Sequence, residues 1–186
     1  MEHSPAAQAV SGEQQSVVVQ AMWIVTFAAL TSVGAQIEIP HIPVPYTLQT
    51  FFVLLAGAFL GKRNGAASQL LYLLGGALGL PIFSQAGFGL AKLLGPTGGY
   101  LLSFPVAAFA VGYLIRQNRS FLWSVVCMLT GLFIVFSLGT LQLNLVYVHH
   151  WSEAIASGFL IFSWWDGVKL IVASVVYQQL SKRYRD

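Results

Sequence analysis

Three ionisable side chains stand where an apolar sequence least tolerates them. Asp166 and Lys169 are the only formal charges in a run from about 157 to 180, and their separation of three puts them on one helix face, able to pair. Lys92 sits in residues 83–100, a stretch with five glycines and one proline between hydrophobic runs, too broken to span a bilayer and too apolar for an ordinary loop. Two cations and one acid leave one net positive charge, which a small carboxylate would satisfy. Gln49 and Asn144 offer amides for polar recognition, and Phe83, Phe88, Tyr100, Trp164 and Trp165 offer an apolar wall. The expected chemistry is therefore capture of a small, partly apolar anion. The plainer alternatives are that Asp166 and Lys169 only neutralise each other, and that each aromatic, taken singly, is a core or interface-belt residue.

These residues need a membrane scaffold. Of 186 residues, 56% are hydrophobic and only 8% charged, against roughly 25% charged in soluble domains. The pattern predicts an all-α, polytopic membrane protein of six transmembrane helices, at about 17–36, 46–60, 66–83, 98–115, 121–148 and 157–180. Residues 1–16 are polar and read as a disordered cytoplasmic tail, and 182–186 as a basic cytoplasmic tail. Three prolines, Pro40, Pro43 and Pro45, make the link after the first span a stiff extended connector, a candidate lid. Ala28 and Ser32, four apart on the first span, would let another helix approach closely, either within the bundle or on a partner subunit.

Orientation follows from the cations. With both termini cytoplasmic, the inner turns and tail hold Lys62, Arg63, Arg116, Arg119, Lys182, Arg183 and Arg185, seven of the nine. The two left over are Lys92 and Lys169. Counting from Ser181 at about 1.5 Å per residue, Lys169 lies about 18 Å and Asp166 about 22 Å above the inner boundary. Both fall in the outer half, where Lys92 and Asn144 could share a cavity open to the outside. Burying an ionisable group at this depth costs at least about 2.5–3.5 kcal/mol, so function is its default reading.

Other chemistries fall away. The cations form no patch or stripe, which argues against nucleic acid as a partner. His3, His41, His149 and His150 are scattered and Cys127 is the sole cysteine, so no metal site or intrachain disulfide is expected. The segment from Gly57 to Lys62 has one residue too few between its glycines for a phosphate loop, and no serine–histidine–acid set can be argued. An enzyme is not expected.

Four motifs carry a resemblance: Gly-Ala-Gln-Ile-Glu-Ile-Pro from Gly34, Pro-Val-Pro-Tyr-Thr-Leu-Gln-Thr from Pro43, Leu-Leu-Tyr-Leu-Leu-Gly-Gly-Ala-Leu-Gly-Leu-Pro-Ile-Phe from Leu70, and Gly-Pro-Thr-Gly-Gly-Tyr-Leu from Gly95. In this order they resemble the BioY family, the biotin-specific substrate-binding (S) components of energy-coupling factor (ECF) transporters. The likeness is dense over 34–113 and returns at Asp166-Gly-Val-Lys169. It implies a six-helix protein of a prokaryotic plasma membrane that captures biotin from outside. It implies as partners the lipid bilayer, a transmembrane coupling protein and two cytoplasmic ATPases. No cofactor is implied, biotin being cargo. The resemblance further implies that Lys92 and Lys169 hold the valerate carboxylate while Asp166 and neighbouring polar groups serve the ureido ring. Lysine at 92, where arginine is also expected, lacks a bidentate fork for the carboxylate. An S-component for another small carboxylate vitamin, or a structural membrane protein with an internal Asp–Lys pair, are the other readings.

Overall fold

Uncharged runs become helices because a backbone that leaves water must satisfy its own polar groups. The computed structural model of the chain describes residues 16–118, 120–160 and 164–183, and the fold is all-α apart from one two-residue ribbon. The expected tails lie almost wholly outside these residues. Helix α1 (Val17–Gln36) opens on Ser16, whose hydroxyl accepts from the Val19 N–H at 3.3 Å and so caps one of the orphan donors. Strands β1 (Glu38–Ile39) and β2 (Tyr46–Thr47) pair antiparallel, Glu38 opposite Thr47. The proline connector is therefore the loop of a hairpin that doubles back, not an extended strut.

Helix α2 (Gln49–Ala77) is helical throughout except at Gly61, whose φ of 76° and ψ of 179° only glycine adopts readily. In one straight helix Gln49 and Tyr72 would stand about 35 Å apart. Instead Gln49 Nε2 donates to the Tyr72 hydroxyl at 2.6 Å, and a Cβ on Gly65 would lie 2.9 Å from the Gly57 Cα. The two arms, 49–60 and 62–77, thus fold back on each other about a single residue. They take the place of the expected second and third spans. The first arm starts at Gln49 because Tyr46 and Thr47 are drawn into the ribbon. The second ends at Ala77, not 83, because Gly79 turns to a φ of 107° and Pro81 follows.

A 3₁₀ turn (Ser84–Ala86) and the short α3 (Leu90–Leu94) lead to α4 (Gly98–Leu114), which runs through Pro105 without ending. Helix α5 (Phe121–Leu143) continues as a π-helical turn, Asn144–Val148. Next come α6 (Trp151–Ala154) with a second π turn (Ile155–Phe159), and α7 (Trp164–Arg183). Of the expected last span at 157–180, residues 157–159 belong to the second π turn and 164–180 to α7, and 161–163 lie outside the described residues. As described, α7 carries Asp166 in its first turn, where a carboxylate meets the positive end of the helix dipole.

The core lies where α2, α4 and α5 meet, around Leu54, Tyr72, Phe104, Leu132 and Val135. Helices α2 and α4 approach closely because Gly57 has no Cβ to strike the backbone of Ala108. Val17–Gln36 and Phe121–Val148 are long and apolar enough to cross a membrane, and Gly98–Leu114 is a shorter apolar helix. Ala28 is buried in this core and Ser32 is half-buried, its hydroxyl donating to the Ala28 carbonyl at 2.9 Å. That corrects the expectation of a partner-docking face at Ala28: its small side chain serves packing within the bundle.

Gly61→Ala should destabilise by about 1–3 kcal/mol, since its backbone is closed to a Cβ and the Arg116 guanidinium stands beside it. Gly167→Ala, with open space around it and an ordinary helical setting, should be neutral or stabilising. Thermal midpoints of the two variants in detergent provide the comparison.

Candidate ligand-binding site

A lysine ammonium has three hydrogens to place, and in a dry interior each needs an acceptor. Lys169 finds all three: Asp166 Oδ1 at 2.6 Å, the Thr47 carbonyl at 2.9 Å and Thr50 Oγ1 at 2.7 Å. Asp166 and Lys169 are 2% and 4% exposed. The spacing of three on α7 makes the ion pair, and the other two bonds fasten α7 to β2 and to the start of α2. Gln49 is equally committed. Its Nε2 donates to Tyr72, its Oε1 accepts from Thr47 Oγ1 at 2.8 Å, and the Tyr72 hydroxyl donates a hydrogen bond to the Ile82 carbonyl at 3.3 Å. Polar groups from the hairpin, both arms of α2 and the loop after it thus form one chain of hydrogen bonds.

Lys92 stands apart from this network. It lines a cavity of about 650 Å³ between the hairpin loop and residues 85–97, within the roughly 300–1,000 Å³ range of small-molecule sites. His41, Pro43 and Pro45 form one wall, and Gln85, Phe88 and Thr97 belong to the other. No carboxylate pairs with Lys92 among the described residues. The His41 ring lies 5.1 Å from that of Tyr46, and its Nδ1–H donates to the Val44 carbonyl at 3.3 Å.

The expected site residues therefore divide. The cavity brings together Lys92 with Pro43 and Pro45, while the exposed Pro40 lies outside it. Asp166, Lys169 and Gln49 cluster behind the hairpin without lining the cavity. Phe83 and Tyr100, expected on an apolar wall, are packed in the core. Phe83 is fully buried, edge-on to Tyr72 at 5.4 Å, and Tyr100 donates to the Gly158 carbonyl at 2.9 Å. Asn144 is 5% exposed and its Oδ1 has no partner, a buried acceptor left unmatched. One oxygen of Glu38, on β1, shares that condition.

Residues 6–186 match the sequence model of the BioY family. The chain belongs to the BioY family. It is 46% identical to the biotin transporter BioY of Thermotoga maritima over 84% of this chain and 92% of that one. It is 42% identical to the probable biotin transporter BioY of Pyrococcus horikoshii over 84% and 93%. Its fold matches the crystal structure of the S-component for biotin from an ECF-type ABC transporter. There the TM-score is 0.82 at 24% identity, over 92% of this chain and 95% of that one.

Within the BioY motifs, three residues do work that sequence reasoning did not assign. Thr47 and Thr50 are acceptors for Lys169, and Gln36 bonds across to the loop after α2. All three sit in the Gly34 and Pro43 motifs, so the signal was present as motif and absent as role.

Asp166→Asn should destabilise the protein by about 3–5 kcal/mol, because it leaves a buried ammonium without its counter-charge. Asp166→Leu combined with Lys169→Met should recover much of that loss. Thermal midpoints decide it: a double variant no more stable than Asp166→Asn would mean the pair is not the source of the cost.

Proposed function

We propose that this chain is a biotin-binding membrane subunit that captures biotin from the outside for uptake with an ATP-driven energy-coupling module. The observation that carries the reading is Lys92: an ammonium on the wall of a cavity of suitable volume, with no carboxylate among the described residues to neutralise it. Biotin has one carboxylate to meet it, an apolar tail and bicycle for Phe88 and the prolines, and two ureido N–H donors. Membership of the BioY family supports biotin over other small acids.

The resemblance also gives Lys169 to the carboxylate. With its three hydrogens placed on Asp166, Thr47 and Thr50, Lys169 would have to surrender one of them to an anion. A structural role for the Asp166–Lys169 pair is favoured by the same geometry, so Lys92 is the residue on which the carboxylate depends most.

Six crossings with both termini cytoplasmic fit the seven cations on one side and the fold-back of α2 at Gly61, whose neighbours are Lys62 and Arg63. That topology makes the chain a multi-pass protein of a prokaryotic plasma membrane. It carries no nucleotide motif, so uphill transport draws on a transmembrane coupling protein and two cytoplasmic ATPases.

Titration in detergent tests the reading. Biotin at a hundredfold excess over Kd should add about 2.7 kcal/mol of stability and raise the thermal midpoint, whereas other carboxylate vitamins should not. Lys92→Ala should weaken biotin more than tenfold while the protein still inserts. Biotinol, with an alcohol in place of the carboxylate, should lose a similar factor on the unaltered protein and little more on Lys92→Ala. Equal binding of biotin and biotinol by the unaltered protein would sink the assignment of Lys92.

A further inference from the structure

The wall of the cavity beside Lys92 has an unusual backbone. Gln85 and Ala86 follow one another at φ values of 59° and 50°, in the left-handed region that non-glycine residues seldom enter even singly. Both line the cavity, and so does Gly87. A turn of this kind relaxes unless something outside it holds it.

Gln36, the last residue of α1, reaches it from about fifty residues away in sequence. Its Nε2 donates to the Phe83 carbonyl at 3.0 Å and the Ile82 carbonyl at 3.4 Å, and its Oε1 accepts from the Ala86 N–H at 3.2 Å. The amide thus spans the turn, gripping the segment that enters it and the second left-handed residue. Within the turn, Phe83 N–H donates to the Gly87 carbonyl at 3.0 Å; its two ends are tied to α2, where Tyr72 donates to the Ile82 carbonyl at 3.3 Å and the Gly76 carbonyl accepts from Gly89 N–H at 2.7 Å, while Gln36 bonds the turn itself to α1. Gly87 in turn faces Lys92: a Cβ added to it would lie 3.1 Å from the lysine Cε. The side chain that would meet an anion is therefore seated on a turn that is flanked by anchors to α2 and clamped at its left-handed residues from α1.

We infer that Gln36 is a positioning residue for ligand recognition: its amide holds the left-handed turn 84–86 so that Gly87 buttresses the Lys92 stem and the ammonium stays on the cavity wall. Gln36 need not touch the ligand. The inference rests on the biotin-binding reading for its affinity readout and on backbone exchange for the clamp itself.

Gln36→Met keeps the length and removes the three bonds into the turn. Without added biotin, amide exchange in peptides covering 83–92 should accelerate, while exchange in α4 and α5 stays as in the unaltered protein. Biotin affinity should fall about tenfold or more, and the preference for biotin over biotinol should shrink with it, which a general loss of stability would not produce. Gln85→Gly with Ala86→Gly, added to Gln36→Met, should restore most of the affinity, because glycine enters the left-handed region without cost to its side chain. Unchanged exchange at 83–92, or undiminished preference for biotin over biotinol in Gln36→Met, overturns the inference. Faster exchange in a protein whose unaltered form binds no biotin supports the clamp and overturns the biotin reading instead.

Discussion

A buried ammonium is the constraint to which the rest of this fold answers. In a dry protein interior Lys169 cannot stand alone, and removing either member of a buried pair costs more than the pair is worth in net stability. The chain meets this by converging three elements on one atom: Asp166 from the first turn of α7, the Thr47 carbonyl from β2 and the Thr50 hydroxyl from α2. The base of the hairpin is consequently tied to α7. Its loop, 41–45, carries Pro43 and Pro45 out over the cavity from a fixed foundation.

That convergence separates two lysines that composition alone treats alike. Lys169 is neutralised and saturated by the chain. Among the described residues Lys92 has no such partner, and it is held at the cavity by a turn that needs outside support. Recognition can rest on this single cation because no carboxylate among the described residues pairs with it. The cost is that its position must be enforced, since a lysine is a flexible point charge without the planar fork of arginine.

Sequence made the helices legible for a simple reason: long uncharged runs have no other stable backbone in lipid. It made the positive connector at 61–65 legible as a reversal, though the reversal proves to be one glycine and not five residues of turn. Boundaries at 78–83 and 151–160 were not legible, because apolar composition continues past the point where Gly79 and the π turns change the backbone path. Phe83 and Tyr100 show the same limit in side chains. An aromatic residue beside a candidate site satisfies the expectation of an apolar wall and of a packed core equally well, and only the neighbours, Tyr72 and Gly158, decide. Gln36 was invisible for a different reason, its partners lying 46 to 50 residues away.

The reassignment of Ala28 bears on how such a subunit meets its surroundings. Burying Ala28 and half-burying Ser32 turns Val18, Met22, Val25 and Val33 outward on α1, an apolar stripe at helical spacing. In water such a stripe would demand a partner. In a bilayer lipid covers it as well as protein does, so its exposure is what membrane residence requires. The same helix ends in Gln36, whose amide grips the turn beside Lys92. Helix α1 thus presents hydrocarbon to one side and, at its end, sets the polar geometry of the cavity. The Gly34 and Ile37 carbonyls, at the end of the same helix, accept from the Leu48 N–H at 3.1 and 3.0 Å, so a shift of α1 would reach both the turn beside Lys92 and the Thr47–Thr50 segment that holds Lys169.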